Sequence, residues 1–298
     1  MNATLQKLVI LGIGLCSSLH AQETRHVILV GVDGLSPDGV RTAETPALDG
    51  LMKSGAFSLH ARGVMPTSSG PNWASMLNGA GPEQHGVINN DWKPGNKDIV
   101  PTAEGSVAGM FPSVFYQIRQ ERPDASLGCV YDWGGIGGLV ELSVIDEAHD
   151  TKGAKATMKK SIGIIEEKMP TFLFIHLDEV DHAGHQFGHG TPEYYASVSE
   201  ADGLIGELVD VLEKKGLKKN TVILVTSDHG GHGKGHGSAS MADLEIPWIV
   251  NGPGVKEGVE LNQPINTYDT AVTIAHLLNV SPHPAWIGRP VLSALQED

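Results

Sequence analysis

Cysteine is nearly absent from this 298-residue sequence, which contains only Cys16 and Cys129. If residues 1–21 are removed as a signal peptide, Cys129 remains alone and no intramolecular disulfide can form. We expect it to be a small buried core residue rather than a reactive thiol. The sequence also lacks a Pro/Ser-rich linker, a low-complexity tract and an internal repeat. Residues 22–298 are therefore expected to form one large α/β domain rather than two small ones.

Positive charge is also scarce, with 21 Lys and Arg against 35 Asp and Glu, a net charge of −14. Removing residues 1–21 takes away Lys7 and no acidic residue, so the charge becomes −14 − 1 = −15. This acidity argues against duplex nucleic acid or an anionic membrane as a partner. A small anionic substrate would need a local positive centre, which bound metal ions could supply.

No apolar run is long enough to span a bilayer comfortably. Lys7 is followed by LVILGIGLC and then by small and polar residues that end at Ala21. A single positive charge, a short apolar core and a small terminal residue predict a secretory signal peptide over residues 1–21. The protein is then periplasmic or secreted, without a stable membrane anchor. Leu15 before Cys16 disfavours a lipoprotein anchor, and the alternative is a buried N-terminal strand or helix.

Apolar runs that alternate with amphipathic segments predict a mainly parallel central sheet with helices on both faces. Thr45 and Pro46, for example, are a typical N-cap and first helical residue. The predicted strands are residues 26–33, 56–64, 126–131, 171–177, 221–226 and 246–250. The predicted helices are residues 46–53, 71–77, 114–120, 154–168, 191–215 and 267–278. Residues 89–113 show no period and predict a long surface loop or a small cap over the active site.

Three predicted strands end at or just before an acidic residue, namely Asp33, Asp181 and Asp228. The carboxyl edge of an α/β sheet is where ligands bind. A buried carboxylate without a cation or hydrogen bonds is costly. Each residue alone could cap a loop, but nearby histidines favour a metal site.

Those histidines follow the acids closely. Asp181 and His185 form a D-x-x-G-H motif, Asp228 and His229 are adjacent, and His236 lies between two glycines. Neighbouring side chains on an extended segment point oppositely, so Asp228 and His229 could serve two different metals. Mixed nitrogen and oxygen ligands favour Zn²⁺ over Ca²⁺ or Mg²⁺, while Mn²⁺ or Fe also fits.

Three other histidines, His182, His189 and His232, are expected to be exposed or to support the ligands from outside. The GHGKGH segment at residues 231–236 could also be simply a flexible loop.

A nucleophile is expected just before the helix at residues 71–77, where Thr67, Ser68 and Ser69 precede Gly70-Pro71. Such hydroxyls commonly cap a helix. Alternatively, one of them binds a metal, loses its proton and attacks phosphorus at the positive end of the helix. The residue types alone do not choose among the three.

These motifs together resemble the alkaline phosphatase superfamily, and within it the nucleotide pyrophosphatase/phosphodiesterase-like (type I phosphodiesterase) branch. The second Thr of that branch's T-x-T-F-P-N motif, its nucleophile, matches Ser69. Serine replaces threonine here, as elsewhere in the superfamily. The G-x-x-P-E-x-H-G motif matches residues 79–86 and leads to a phosphoryl-binding amide at Asn90. E-P-D-x-x-G-H matches residues 179–185, D-H-G matches residues 228–230, and the last histidine is His236.

The resemblance covers roughly residues 27–291, in a chain shorter than typical members. It implies an exported phosphoester hydrolase with two Zn²⁺ ions, a phosphodiesterase or nucleotide pyrophosphatase that forms a phosphoseryl intermediate on Ser69. One zinc would be held by Asp181, His185 and His236. The other would be held by Asp33, Asp228 and His229, with Ser69 beside it. Asn90 and the amide nitrogen after Ser69 would donate to a phosphorane oxygen.

The sequence alone leaves four other functions open. A phosphomonoesterase could use the same site, although no Arg or Lys for the extra phosphate charge is identifiable. A sulfatase needs C/S-x-P-x-R, but Trp73 stands where the arginine belongs. A phosphoglycerate mutase needs an inserted domain for which this chain lacks room, and a non-catalytic metal-binding protein would not need the nucleophile. The aromatic side chains that could contact substrate, or else pack in the core, are Trp73, Trp92, Trp133 and Tyr131.

Overall fold

The computed structural model describes residues 26–96 and 100–297. The predicted signal peptide at residues 1–21 lies outside the described residues. None of the helices in the described part combines the length and the apolar character needed to cross a bilayer.

The centre of the fold is an eight-stranded sheet in the order β4-β3-β5-β1-β6-β7-β2-β8. Among the strands of the described residues, β7 alone is antiparallel, and it pairs in that sense with both β6 and β2. The mainly parallel α/β fold is therefore confirmed. The strands are β1 His26–Val32, β2 Ala56–Arg62, β3 Leu127–Tyr131, β4 Glu147–Asp150, β5 Phe172–Leu177, β6 Thr221–Thr226, β7 Glu245–Asn251 and β8 Val259–Glu260.

Helices cover both faces of this sheet, as predicted. They are α1 Pro37–Thr42, α2 Pro46–Lys53, α3 Ser69–Asn78, α4 Pro82–His85, α5 Val114–Glu121, α6 Ala154–Glu167, α7 Glu179–Phe187, α8 Pro192–Lys214, α9 Met241–Leu244 and α10 Asp269–Leu277. Successive residues of β1 point to opposite faces, so Leu29 joins the core with Phe115 of α5, while Ile28 joins the core with Ile205 of α8. A strand buried on both faces is apolar throughout, which is why its sequence shows no alternation.

The main departure from the sequence prediction is α7, because the segment after β5 was expected to be a turn. The structure shows a nine-residue helix with Val180 and Ala183 buried. Gly184 inside this segment weakened the helical signal, since glycine is a poor helix former. The short elements α1, α4, α9, β4 and β8 were also not predicted. The described part of the 89–113 segment contains no helix or strand before Ser113, the N-cap of α5.

Candidate metal centre and active site

The sheet order brings three functional segments to one edge. Strands β5, β1 and β6 are neighbours and parallel, so the segments after their carboxyl ends lie side by side. Asp33 follows β1, and its backbone N–H donates to the carbonyl of Leu177 at the end of β5 (2.9 Å). Asp228 follows β6 after a single residue. This is the edge at which open α/β sheets bind ligands.

The first ligand cluster consists of Asp181, His185 and His236, whose potential ligand atoms lie within 4.8 Å of one another. Asp181 and His185 are four residues apart on α7, so they occupy the same face of that helix. His185 Nε2 lies 3.2 Å from Asp181 Oδ2, and His236 Nε2 lies 3.8 Å from Asp181 Oδ1. The helix and the glycine-flanked loop thus form one candidate metal site.

The second cluster consists of Asp33, Asp228 and His229, again within 4.8 Å of one another and all buried. His229 Nε2 lies 3.2 Å from Asp228 Oδ2 and 3.4 Å from Asp33 Oδ1. The adjacent Asp228 and His229 therefore converge on the same cluster, where a single ion could bind both.

The three histidines are oriented as metal ligands usually are. Each places Nδ1 against a backbone carbonyl oxygen, so in the neutral ring the proton lies on Nδ1 and the lone pair on Nε2. The distances are 3.0 Å from His185 to Lys234, 2.7 Å from His229 to Gly230 and 2.8 Å from His236 to Thr67. All three available lone pairs belong to the nitrogens that face the carboxylates.

Three carboxylate oxygens in the two clusters are buried without a hydrogen-bond partner among the described residues: Asp33 Oδ1, Asp181 Oδ1 and Asp228 Oδ2. Burial and the nearby Asp33 carboxylate raise the pKa of Asp181 to about 6 and hold that of Asp228 well above its ordinary value. Such a group is costly unless a cation neutralises it. Unpartnered carboxylate oxygens beside imidazole Nε2 atoms are the donor set that Zn²⁺ takes, so the residues fit the two expected ions.

The second oxygen of Asp33 accepts hydrogen bonds from two buried side chains. Its Oδ2 accepts from Trp73 Nε1 at 3.0 Å and from His176 Nε2 at 3.1 Å. Burial alone would raise the pKa of Asp33, but the His176 hydrogen bond and the nearby imidazoles lower it to about 2. Asp33 is thus held as a carboxylate.

His176 was not identified from the sequence. Its other nitrogen, Nδ1, lies 3.1 Å from Asp132 Oδ1. Burial would lower the pKa of His176, yet the hydrogen bonds to Asp132 and Asp33 raise it to about 10. The available signal was a histidine inside the otherwise apolar strand FLFIHL, where an ionisable residue needs a buried partner.

The structure distinguishes the three candidate hydroxyls. Ser69 is the first residue of α3, and its Oγ lies 3.3 Å from His229 Nε2 in the second cluster. Thr67 instead donates to the carbonyl of Ser238 at 2.7 Å. Ser68 occupies the N-cap position without a side-chain capping bond. Ser69 is therefore the hydroxyl placed to act with the metal ligands.

Asn90 lies on the irregular segment that follows α4, and its Oδ1 accepts from the backbone N–H of Gly70 at 2.7 Å. This differs from the expectation that both groups donate to the substrate, because here the Gly70 N–H holds Asn90. The bond uses the amide oxygen and leaves the Asn90 NH₂ group as the donor. Gly70 permits the approach, since a Cβ there would lie 2.8 Å from the Asn89 carbonyl oxygen.

The remaining histidines lie outside the two clusters. His182 is exposed, while the His189 side chain is buried with Nε2 4.0 Å from Asp181 Oδ1. His232 Nδ1 lies 2.6 Å from Asp243 Oδ1, and Asp243 also accepts from the Ser238 N–H. This pair therefore fastens the loop that carries His236.

The other side chains singled out from the sequence are mainly core residues. Cys129 is buried, and burial raises the pKa of its thiol, as expected for an unreactive cysteine. The buried aromatic residues are Trp73, Trp92 and Tyr131, and Trp133 is partly buried against the same core.

Comparison with known proteins agrees with this geometry. The family model of type I phosphodiesterase / nucleotide pyrophosphatase matches residues 27–233. Human ectonucleotide pyrophosphatase/phosphodiesterase family member 1 is 25% identical over 219 residues, which cover 70% of this chain and 24% of that protein. Human bis(5'-adenosyl)-triphosphatase ENPP4 is 26% identical over 226 residues, covering 68% and 47%. A zebrafish (Danio rerio) arylsulfatase K is 31% identical over 135 residues, covering 33% and 26%.

Solved structures show the same fold. Inactive murine ectonucleotide pyrophosphatase/phosphodiesterase 5 in complex with AMP superposes with a TM-score of 0.73 at 18% identity, covering 91% of this chain and all of that one. Wild-type alkaline phosphatase PafA gives a TM-score of 0.76 at 12% identity, covering 92% and 99%.

The chain belongs to the type I phosphodiesterase / nucleotide pyrophosphatase family. The predicted family is thereby confirmed. The chain spans about a quarter to a half of the length of the two human relatives.

Proposed function

We propose that this protein is a zinc-dependent phosphodiesterase that acts on a small phosphoester, with a nucleotide-type diester or pyrophosphate as its preferred substrate class. One observation carries the proposal. Three histidine Nε2 atoms and three unpartnered carboxylate oxygens converge in two adjoining clusters, and the Ser69 hydroxyl lies against one of them. A loop-capping or structural role would not leave three buried carboxylate oxygens unpaired.

In the proposed mechanism, zinc ions bound at the two clusters would lower the pKa of the Ser69 hydroxyl and neutralise charge on the leaving oxygen. Ser69 Oγ loses its proton to water and forms a bond to phosphorus. The bond from phosphorus to the leaving oxygen breaks, and that oxygen takes up a proton from water as the alcohol or phosphate departs. The Asn90 amide donates to a non-bridging oxygen that gains charge. Water then attacks the phosphoseryl group, releases phosphate or its monoester, and restores Ser69.

The lack of a basic side chain among the contacts of the site favours a diester. The only Lys or Arg among the described hydrogen-bond and ion-pair partners of Ser69, Asn90 and the six ligands is Lys234. It contributes only its carbonyl oxygen, because its ammonium group donates to the Gln186 carbonyl. A diester carries one negative charge, so it needs less additional positive charge than a monoester dianion.

The comparisons support a nucleotide-type substrate. A structural neighbour was solved with AMP, and one relative is named for cleaving a dinucleoside triphosphate.

Sulfatase activity is disfavoured despite the partial similarity to an arylsulfatase. Trp73 occupies the position of the arginine in the sulfatase motif, and its indole N–H donates to Asp33. A phosphomonoesterase using the same residues is the alternative that the assay must separate.

The test compares bis-p-nitrophenyl phosphate with p-nitrophenyl phosphate for the mature protein, with zinc and after chelation. We expect zinc-dependent hydrolysis with a higher kcat/KM for the diester. Ser69→Ala should retain both zinc ions and lose at least about a thousandfold in kcat. Ser68→Ala is the matched control, because it removes the neighbouring hydroxyl, which has no capping bond. Preference for the monoester would assign a phosphatase, and full turnover by Ser69→Ala would refute Ser69 as the nucleophile.

We also propose that residues 1–21 direct export and that residues 22–298 form the mature enzyme domain. N-terminal sequencing of the protein recovered outside the cytoplasm should then begin at Gln22. Recovery of the chain only inside the cell with Met1 or Asn2 as its first residue would contradict this assignment.

A further inference from the structure

His176 is a fully buried imidazole held between two carboxylates. Its Nε2 lies 3.1 Å from Asp33 Oδ2 and its Nδ1 lies 3.1 Å from Asp132 Oδ1. The side chains of His176, Asp33 and Asp132 are at most 2% exposed. Hydrogen bonds between such groups are strong, because the charges are shielded from water.

The sheet itself builds this arrangement. Asp132 follows β3, His176 is in β5, and Asp33 follows β1. These three strands are neighbours in the sheet and run parallel. His176 pairs in register with Gly31 of β1. A Cβ at Gly31 would lie 2.4 Å from the Trp73 ring, so glycine there allows the indole to reach Asp33.

The two oxygens of Asp33 consequently face different surroundings. Oδ2 accepts from both Trp73 Nε1 and His176 Nε2. Oδ1 has no hydrogen-bond partner among the described residues and lies 3.4 Å from His229 Nε2. Fixing one oxygen of a carboxylate fixes the direction of the other, here toward the second cluster.

We propose that Asp132 and His176, together with Trp73, are positioning residues that hold Asp33 so that Oδ1 points at the metal site. The inference rests on the proposed metal centre and adds residues that touch neither the metal nor the substrate. Groups that hydrogen-bond to metal ligands in this way commonly contribute 10–100-fold to metal affinity. We therefore expect the loss of His176 to lower the metal affinity of one site.

A different occupant is conceivable for the same side chains. Ligand atoms of Asp33, His176 and Asp178 lie within 4.8 Å of one another, so a third cation could bind there. The present hydrogen bonds already use both nitrogens of His176, which favours the positioning role. Metal stoichiometry separates the two, with two zinc ions per chain expected and three contradicting the proposal.

The experiment is a zinc titration of the metal-free mature protein against a chromophoric chelator, with His176→Phe and Asp132→Asn as test variants. Phenylalanine keeps a ring in the core but removes both donors, and asparagine keeps the shape of Asp132 while removing its charge. We expect one of the two zinc affinities to fall about 10- to 100-fold in His176→Phe, and the other to stay within about threefold. Asp132→Asn should lower the same affinity by a smaller factor. Any turnover that these variants lose at low zinc concentration should mostly return at saturating zinc.

His85→Phe is the matched control for loss of a buried histidine. His85 is fully buried and bonds through both nitrogens, to the Ser75 hydroxyl and the Val87 N–H. His85→Phe should lower the free energy of unfolding without changing either zinc affinity. A third test variant, Trp73→Phe, removes the indole donor to Asp33 and should lower the same zinc affinity. Trp248→Phe is its control, since Trp248 is buried and donates to Thr270.

Each outcome has one meaning. If the wild-type protein binds no zinc, the proposed function fails. If it binds two and both variants keep both affinities, or if His85→Phe shows the same loss, only the positioning role is overturned. Should His176→Phe fail to fold, Asp132→Asn decides alone, because an isosteric change that leaves zinc affinity unaltered would refute the proposal.

Discussion

Replacing Asp228 by asparagine should have opposite effects on stability with and without metal. Asp228 is fully buried and its ligand oxygen lies within 4.8 Å of those of Asp33 and His229. Without a cation, Asp228 is a buried acid beside the Asp33 carboxylate. With a cation it is a ligand. The neutral amide in the Asp228→Asn variant would relieve the crowding of acids in the first situation and weaken metal binding in the second.

The size of the effect follows from that distance. Two unit charges within 4.8 Å repel by about 3 kcal/mol at an effective dielectric constant of about 20. The folded-state pKa of Asp228 is raised by burial and by the neighbouring acids. Because the native state resists ionising Asp228, stability is lost as the pH rises above the ordinary value of 3.8, until the loss equals the cost of ionising Asp228 in the fold. At pH 8, without metal, Asp228→Asn should be more stable than the wild type by about 3 kcal/mol, or roughly 6–12 °C in Tm.

The assay is thermal unfolding at pH 8 in excess chelator and again in excess zinc. In zinc the order should reverse, because a ligand that binds only the native state stabilises it by about 4 kcal/mol at a thousand times its Kd. Asp202→Asn is the control. Asp202 is buried, but it accepts from the Ala47 and Leu48 N–H groups, so its loss should destabilise under both conditions. A variant Asp228→Asn that is less stable than the wild type in chelator would refute the reasoning.

Two further predictions concern single side chains. Asn90→Ala should lower kcat/KM for the diester about 10²–10³-fold, because it removes a donor to the phosphoryl oxygen. The zinc content should stay unchanged. Kinetics together with inductively coupled plasma mass spectrometry check both expectations, and a loss of zinc would contradict the assigned role. For His85, burial lowers the pKa from 6.5 to about 3, so the wild type loses stability as the pH falls below 6.5, where the unfolded chain binds a proton that the native protein does not. The destabilisation caused by His85→Gln should therefore be about 2 kcal/mol smaller at pH 5 than at pH 8 in denaturant unfolding, and a constant difference would show that His85 titrates normally.

The parts of the fold that could be predicted from the sequence are those encoded locally. The run HVILVGV is apolar without alternation because β1 is covered on both faces, and Thr45-Pro46 marks the start of α2. Strand order and the antiparallel sense of β7 could not be predicted, because pairing is set by contacts far apart in the chain. Helix α7 was missed for a local reason, since Gly184 interrupts its apolar pattern.

The candidate site shows the same division. The ligand residues have recognisable motifs, because the chemistry demands particular side chains at fixed spacings. His176 has no motif of this kind. Its importance comes from two carboxylates supplied by β3 and β1, 44 and 143 residues away along the chain. The bond from Gly70 to Asn90 is equally invisible in the sequence, because it depends on how the irregular segment returns over α3.

The two ligand clusters differ in their access to solvent, and this difference bears on how the enzyme could work. All three residues of the second cluster are buried, whereas the His185 side chain of the first is 47% exposed. An ion in the second cluster would be enclosed beside Ser69 and fixed by the hydrogen-bonded Asp33, as activation of a nucleophile requires. An ion in the first would lie nearer to solvent. In the proposed mechanism, the hydrogen bonds that hold Asp33 would therefore support the side of the site where Ser69 lies.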